Sequence, residues 1–383
     1  MKINRRDFLK TTALTSLYFA GFGVPTLAND KMKKNLVVIM LRGGMDGLCA
    51  VPIKNDERFE KLRSKINLDR TLPLTTEFDL HPALDDFKRM WDNNLASIVH
   101  ATNIPYTGRS HFDGQNLMES GGKIPYKEKT GWLGRGMKLA NLTGNGLALS
   151  LPMPLLIRGV PLNDNYYPVK GQMPSSQILD VISQAYLDND EKFLNDTLKT
   201  IRKRKVGGYA SRSNSSLAFT AGQQLSKVDG PKVAVFEVDG FDTHAAQGAT
   251  NGAHADCLSE LDGIFKGLKQ SMSKEAFDNS LIITLTEFGR TIKQNSGNGT
   301  EHGYGSAILM AGGLLKKSQL YADWPGLKRK ELFEGRDLNS TIDARSIYAS
   351  AMSTVFDVEF ERIQKDVFWG DKLNNLSDKL FKA

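Results

Sequence analysis

Apolar residues fill every position of Leu36-Val37-Val38-Ile39-Met40-Leu41. A run of that kind predicts a strand buried on both faces, and hence a parallel sheet covered by helices. It ends in the glycine-rich Arg42-Gly43-Gly44-Met45-Asp46-Gly47. Similar runs at Lys232 to Val238 and Leu281 to Thr286 predict two more buried strands, with further strands at Leu95 to Ala101 and Ala307 to Met310. Apolar residues three and four apart predict helices at Met173 to Lys205, Ala255 to Ser271 and Ala344 to Val355, and another from Phe112 to Ser120. Pro152 and Pro154 break the apolar stretch from Leu147 to Arg158, so any strand there is short or at an edge. The alternation of strand and helix predicts one α/β domain, residues 29–383, with a mostly parallel central sheet and helices on both faces.

The start of the chain follows a different pattern. Asn4-Arg5-Arg6-Asp7-Phe8-Leu9-Lys10 carries the paired arginine that the twin-arginine translocase reads as an address. A weakly apolar stretch, Thr11 to Val24, follows, and then Thr26-Leu27-Ala28 with small residues suited to a signal peptidase. Residues 1–28 are therefore expected to be a leader, and the translocase to be a partner during export to the periplasm. No other stretch is long and apolar enough to cross a bilayer, so no membrane span is expected after processing.

Charge changes this picture little. The leader holds +3 of the formal +7, leaving a mild excess of +4. Its densest run, Arg202-Lys203-Arg204-Lys205, closes an expected helix, where cations suit the helix dipole. Nucleic acid is not an expected partner. Cys49 and Cys257 are the only cysteines and are expected to behave as small buried apolar residues, although the periplasm permits a disulfide.

The candidate chemistry gathers where strands end. Asp46, Asp242 and Glu287 each close a strand, and His244 and His302 lie close behind in loops. A sheet brings its strand ends together, and carboxylates with imidazoles suit a divalent cation. Each residue alone has a plainer reading: a turn cap for Asp46, a surface pair for Asp242 and His244, a salt bridge to Arg290 for Glu287. Ser110, just before a helix, is either an N-cap or a hydroxyl placed to attack an anionic ester, with Arg109 stabilising charge and His111 as ligand or acid/base partner.

Five motifs carry a wider resemblance: residues 42–48 (RGGMDGL), 108–115 (GRSHFDGQ), 241–247 (FDTHAAQ), 286–291 (TEFGRT) and 300–303 (TEHG). In this order they resemble the exported family called domain of unknown function 1501, which is itself similar to the alkaline phosphatase and sulfatase superfamily. The resemblance implies an alkaline phosphatase-like fold and one or two divalent ions (zinc, manganese, magnesium or calcium). It implies metal ligands at Asp46, Asp242, His244, Glu287 and His302, and a nucleophile at Ser110. It further implies a hydrolase of phosphate or sulfate esters, with an anionic ester substrate drawn from the cell envelope or a polysaccharide. Phe288 stands where the superfamily often has a histidine ligand, and the spacing leaves His254 as an alternative to His244. A non-catalytic binding or assembly protein with a degenerate site is the competing expectation.

Overall fold

A computed structural model describes residues 34–150, 152–166 and 212–382, with Gln177, Asp180 and Val181 between them. The expected leader and the expected helix at 173–205 fall almost wholly outside the described residues.

One mixed sheet organises the molecule. In chain order its strands are β1 (Asn35–Leu41), β4 (Ala96–Asn103), β5 (Gly146–Ala148), β6 (Asp164–Asn165), β7 (Val233–Val238), β8 (Ser280–Thr286), β9 (Ser306–Ala311), β10 (Leu320–Tyr321) and β11 (Ile342–Asp343), while β2 (Leu72–Pro73) and β3 (Asp79–Leu80) form a separate antiparallel pair. Across the sheet the order is β10-β4-β9-β8-β1-β7-β5-β6, with β11 on β4. Strand β1 is parallel to both β7 and β8, and β9 runs antiparallel to β8 and β4. The sheet is thus mostly parallel, as the buried runs imply.

The alternation of side chains in β1 shows why the run is apolar throughout. Leu36, Val38 and Met40 join one core with the helices His111–Ser120, Trp132–Leu139 and Ala344–Phe356. Val37, Ile39 and Leu41 join a second core with Asp85–Asp92, Asn214–Leu225 and Ala253–Ser271. Both faces are covered, so neither can carry polar residues at no cost.

Register places the site. Leu41 pairs with Val238 on one side and Thr286 on the other, so β1, β7 and β8 stop level with one another. The antiparallel β9 begins at that same end, bringing the loop before it alongside. Two glycines allow the first loop to lie so close: a Cβ on Gly43 would stand 2.4 Å from the Asp242 nitrogen, and one on Gly44 2.7 Å from the Phe288 ring. Both have φ in the left-handed region, at 111° and 75°. Cys49 and Cys257 are buried and free. No helix among the described residues is long and apolar enough to cross a membrane.

Candidate metal centre

Three of the imidazoles converge on one carboxylate oxygen. Oδ1 of Asp242 lies 3.2 Å from His111 Nε2, 3.1 Å from His244 Nε2 and 3.2 Å from His302 Nε2. Donor atoms of His111, Asp242 and His302 all fall within 4.8 Å of one another. His244 stands beside them, its Nε2 2.8 Å from that of His302.

Each ring is fixed through its other nitrogen. His302 Nδ1 is 2.7 Å from the Arg109 carbonyl oxygen, which can only accept, so Nδ1 carries the proton. His111 Nδ1 is 2.8 Å from Glu287 Oε1, and His244 Nδ1 is 2.8 Å from Glu301 Oε2. With protons on Nδ1, bare Nε2 lone pairs face each other and the Asp242 oxygen. His111 Nε2 is buried without a hydrogen-bond partner. A cation resolves that crowding of acceptors. The donor set therefore fits a divalent ion, with a carboxylate or carbonyl orienting each histidine from behind.

Local charges follow the same layout. Burial alone would raise the Asp242 carboxyl, but the Arg290 guanidinium, hydrogen-bonded to it, holds it down at about 2. Burial likewise opposes the charge on Glu287, yet hydrogen bonds from His111, Gln115 and the Gly43 amide bring its carboxyl below the ordinary value. For His302 burial dominates and lowers the imidazole, which favours the neutral ligand form.

Three expectations need correction. Asp46 is not in the cluster. It is fully buried and clamped by Arg63, Nη1 to Oδ2 at 2.5 Å and Nη2 to Oδ1 at 3.1 Å, with Gln247 donating to Oδ2 at 2.7 Å. Its oxygens are saturated, and it also caps the short helix Gly47–Ala50. Glu287 stands one layer behind the centre, because its Oε1 already accepts from His111, Gln115 and Gly43. Arg109 does not present a free guanidinium: it is paired with Asp337 and Glu334 at 2.8 and 2.6 Å, and its contribution is the carbonyl turned to His302 by a φ of 55°.

The remaining open points resolve geometrically. His244, not His254, faces the centre. His254 is fully buried elsewhere, and burial lowers its pKa to about 3. Phe288 walls the site, its ring centroid 4.9 Å from those of both His111 and His302. His111, which the family resemblance did not make a ligand, brings its Nε2 to 3.2 Å from Asp242 Oδ1. Ser110 is the N-cap residue of the helix His111–Ser120 but makes no side-chain capping bond, and it is half-buried beside His111.

Arg290 went unrecognised at the sequence level as anything but a partner for Glu287. Its guanidinium instead meets Asp242 Oδ1 at 2.7 Å and the carbonyls of Gly43, Gly44, Phe241 and Thr300, tying three loops together. Its place four residues after the end of β8 was the available signal.

Fold and centre together define an α/β protein with a histidine-carboxylate cluster at the carboxyl ends of its parallel strands. Residues 221–358 match the model of a protein family of unknown function, DUF1501, which bears out the family resemblance carried by the motifs. The matched span contains Asp242, His244, Glu287 and His302. No curated protein matches the chain. Among solved structures, the chain is similar to a protein in the alkaline phosphatase superfamily from Vibrio parahaemolyticus (13% identity, 97% of this chain and 80% of that one, TM-score 0.42). It is similar to a sulfatase from Pseudoalteromonas sp. (13%, 94% and 74%, 0.40). A third similar structure is the C-terminal periplasmic domain of an Escherichia coli protein in complex with zinc (12%, 76% and 77%, 0.37).

Proposed function

We propose that this protein is a periplasmic, metal-dependent hydrolase of phosphate or sulfate esters, exported by the twin-arginine pathway and cleaved after residue 28. The observation that carries the reading is the convergence of His111, His244 and His302 Nε2 atoms on Asp242 Oδ1, each ring fixed from behind. One divalent ion held by His111, Asp242 and His302, with His244 adjacent, would supply Lewis acidity to an ester oxygen. One ion is expected rather than two, because Asp46 is clamped by Arg63 and Gln247 and Glu287 Oε1 already accepts from His111, Gln115 and the Gly43 amide.

The chain's own groups have separate tasks in this reading. Ser110 is the nucleophile: its oxygen bonds to phosphorus or sulfur, the ester oxygen departs, and the serine proton ends on the departing alcohol. Water then cleaves the serine ester, releasing the acid and restoring the hydroxyl. The first-turn amides of the helix His111–Ser120 favour negative charge developing beside them. Arg290 keeps Asp242 ionised and in place throughout.

The test is elemental analysis of the exported protein beside His302→Ala and Ser110→Ala. About one ion per chain is expected from the single cluster, lost in His302→Ala and kept in Ser110→Ala, which loses ester turnover. Protein free of metal after reconstitution with zinc, manganese, magnesium and calcium would overturn the reading and favour a binding protein. Full turnover by Ser110→Ala would remove the serine mechanism.

A further inference from the structure

Among the described residues, the guanidiniums around the centre already carry ion pairs. Arg42 is held by Glu119 at 2.9 Å and Glu237 at 3.1 Å, Arg109 by Asp337 and Glu334, Arg290 by Asp242, and Arg336 by Asp337 at 2.7 Å. A site for a doubly charged anion needs donors that are free to turn toward it, and none of these is.

Among the described residues, the charges of the cluster and of the ion pairs beside it can be set against one another. Asp242, Glu287, Glu301, Glu334 and Asp337 stand against Arg109, Arg290 and Arg336, a difference of two negative charges. A divalent ion with neutral imidazoles neutralises that difference and leaves no surplus. Arg42 adds nothing positive, since it faces two further carboxylates. Unit charges a few ångströms apart interact strongly at a half-buried site, so each unbalanced charge on a ligand weighs on its binding.

Apolar surface follows the cluster in the chain. Phe112 follows His111 directly on the first turn of its helix and is 81% exposed. Asn116, one turn along the same face, receives the backbone N–H of Tyr126 at 2.7 Å, and Tyr126 is itself 52% exposed. An exposed aromatic ring one residue along the helix from His111 is suited to packing on the organic part of an ester.

We propose that the centre selects esters with a single negative charge, namely sulfate monoesters or phosphodiesters, whose organic group packs on Phe112, over doubly charged phosphate monoesters. This inference rests on the function proposed above and narrows it. The shared chemistry is a tetrahedral oxyanion bearing one charge; sulfate and phosphodiester arms separate the two sources.

The experiment is calorimetric binding to full-length exported Ser110→Ala protein, with metal occupancy confirmed by elemental analysis. Phenyl sulfate, diphenyl phosphate, methyl sulfate and phenyl phosphate are compared at pH 8.5, where phenyl phosphate is a dianion. At least one of the singly charged phenyl esters is expected to bind about tenfold more tightly than phenyl phosphate; whichever does names the source. Phe112→Ala should abolish the advantage of phenyl sulfate or diphenyl phosphate over methyl sulfate. Glu334→Gln, an exposed change that removes one negative charge, should tighten phenyl phosphate several-fold relative to phenyl sulfate, by about the effect of one charge. A loaded centre that binds phenyl phosphate as tightly as both singly charged phenyl esters overturns this inference alone. A protein that takes up no metal overturns the proposed function and this inference with it.

Discussion

Asp46 and Asp242 close neighbouring parallel strands, yet the residues that meet them give them opposite roles. Arg63 saturates the first in a buried pair, and three imidazoles leave the second poised for a cation. Substituting Asp46 by Ala would strand Arg63 without a carboxylate, at a cost of about 3–5 kcal/mol. Urea denaturation should show that loss, while elemental analysis of the protein that remains folded should show metal retained. Metal lost from folded Asp46→Ala would return this residue to the ligand set. Glu287→Gln tests the layer behind the ligands. The amide still accepts from His111 Nδ1 but no longer bears charge, so metal affinity should fall about 10–100-fold in a competition titration with a chelator. That Asp242, His244 and His302 belong together was legible in the sequence, because strand ends of a parallel sheet must meet. That Asp46 does not belong was not legible: its partner, Arg63, is the C-cap of the short helix Glu57–Leu62, which no apolar period in the sequence announced. His111 was legible only as an alternative, since its reach depends on the turn after Asn103.

The elements hold these residues through contacts between loops more than through the loops themselves. Gly43 shows the constraint, with φ at 111° and no room for a methyl group beside the Asp242 nitrogen. Gly43→Ala should therefore cost more than about 1–3 kcal/mol, seen as a lower urea midpoint, and a near-neutral effect would mean the loop can move aside. Far from the centre, the helix Asp85–Asp92 begins without a side-chain cap of its own. Asp262, on the helix Ala253–Ser271, replaces that cap by accepting the amides of Asp86 and Phe87 at 2.9 and 2.8 Å. Burial pushes the Asp262 carboxyl up to about 6, against the pull of those two amides and with the charges of Asp86 and Asp85 adding. Folding thus takes up a proton between the unfolded value of about 3.9 and the folded one. The stability this group contributes is fully present below the unfolded value and lost as pH rises through about 6. Wild-type urea midpoints should fall relative to Asp262→Asn between pH 4 and 7; parallel profiles would refute the assignment. The five long strands and the helices His111–Ser120, Ala253–Ser271 and Ala344–Phe356 could be read from the sequence pattern, but the helices Trp132–Leu139 and Asn214–Leu225 could not. Glycine interrupts the first, and small polar residues blur the second.

At the scale of the whole molecule, the centre draws its atoms from distant stretches of chain. His111 follows β4, Asp242 and His244 follow β7, and His302 precedes β9, while Arg290, after β8, binds carbonyls from three of the loops between them. None of these donors is near another in an unfolded chain except Asp242 and His244. An ion that needs all of them binds the folded state alone, and its binding free energy adds to stability by mass action. At a free ion concentration of 100 times the dissociation constant this amounts to about 2.7 kcal/mol. For a domain of this size the melting temperature should rise on the order of 5 °C. A chelator should reverse the rise, and His302→Ala should show none, since its Nε2 lies at the middle of the cluster. Ser110→Ala should keep the full rise, which separates holding the ion from acting on the ester. Equal melting temperatures with and without each candidate ion would mean that the three imidazoles close on Asp242 for structural reasons alone. The ion pairs around Arg290 and Arg109 would then be the reason for the loop arrangement, and the chemistry would have to be sought elsewhere on the strand ends.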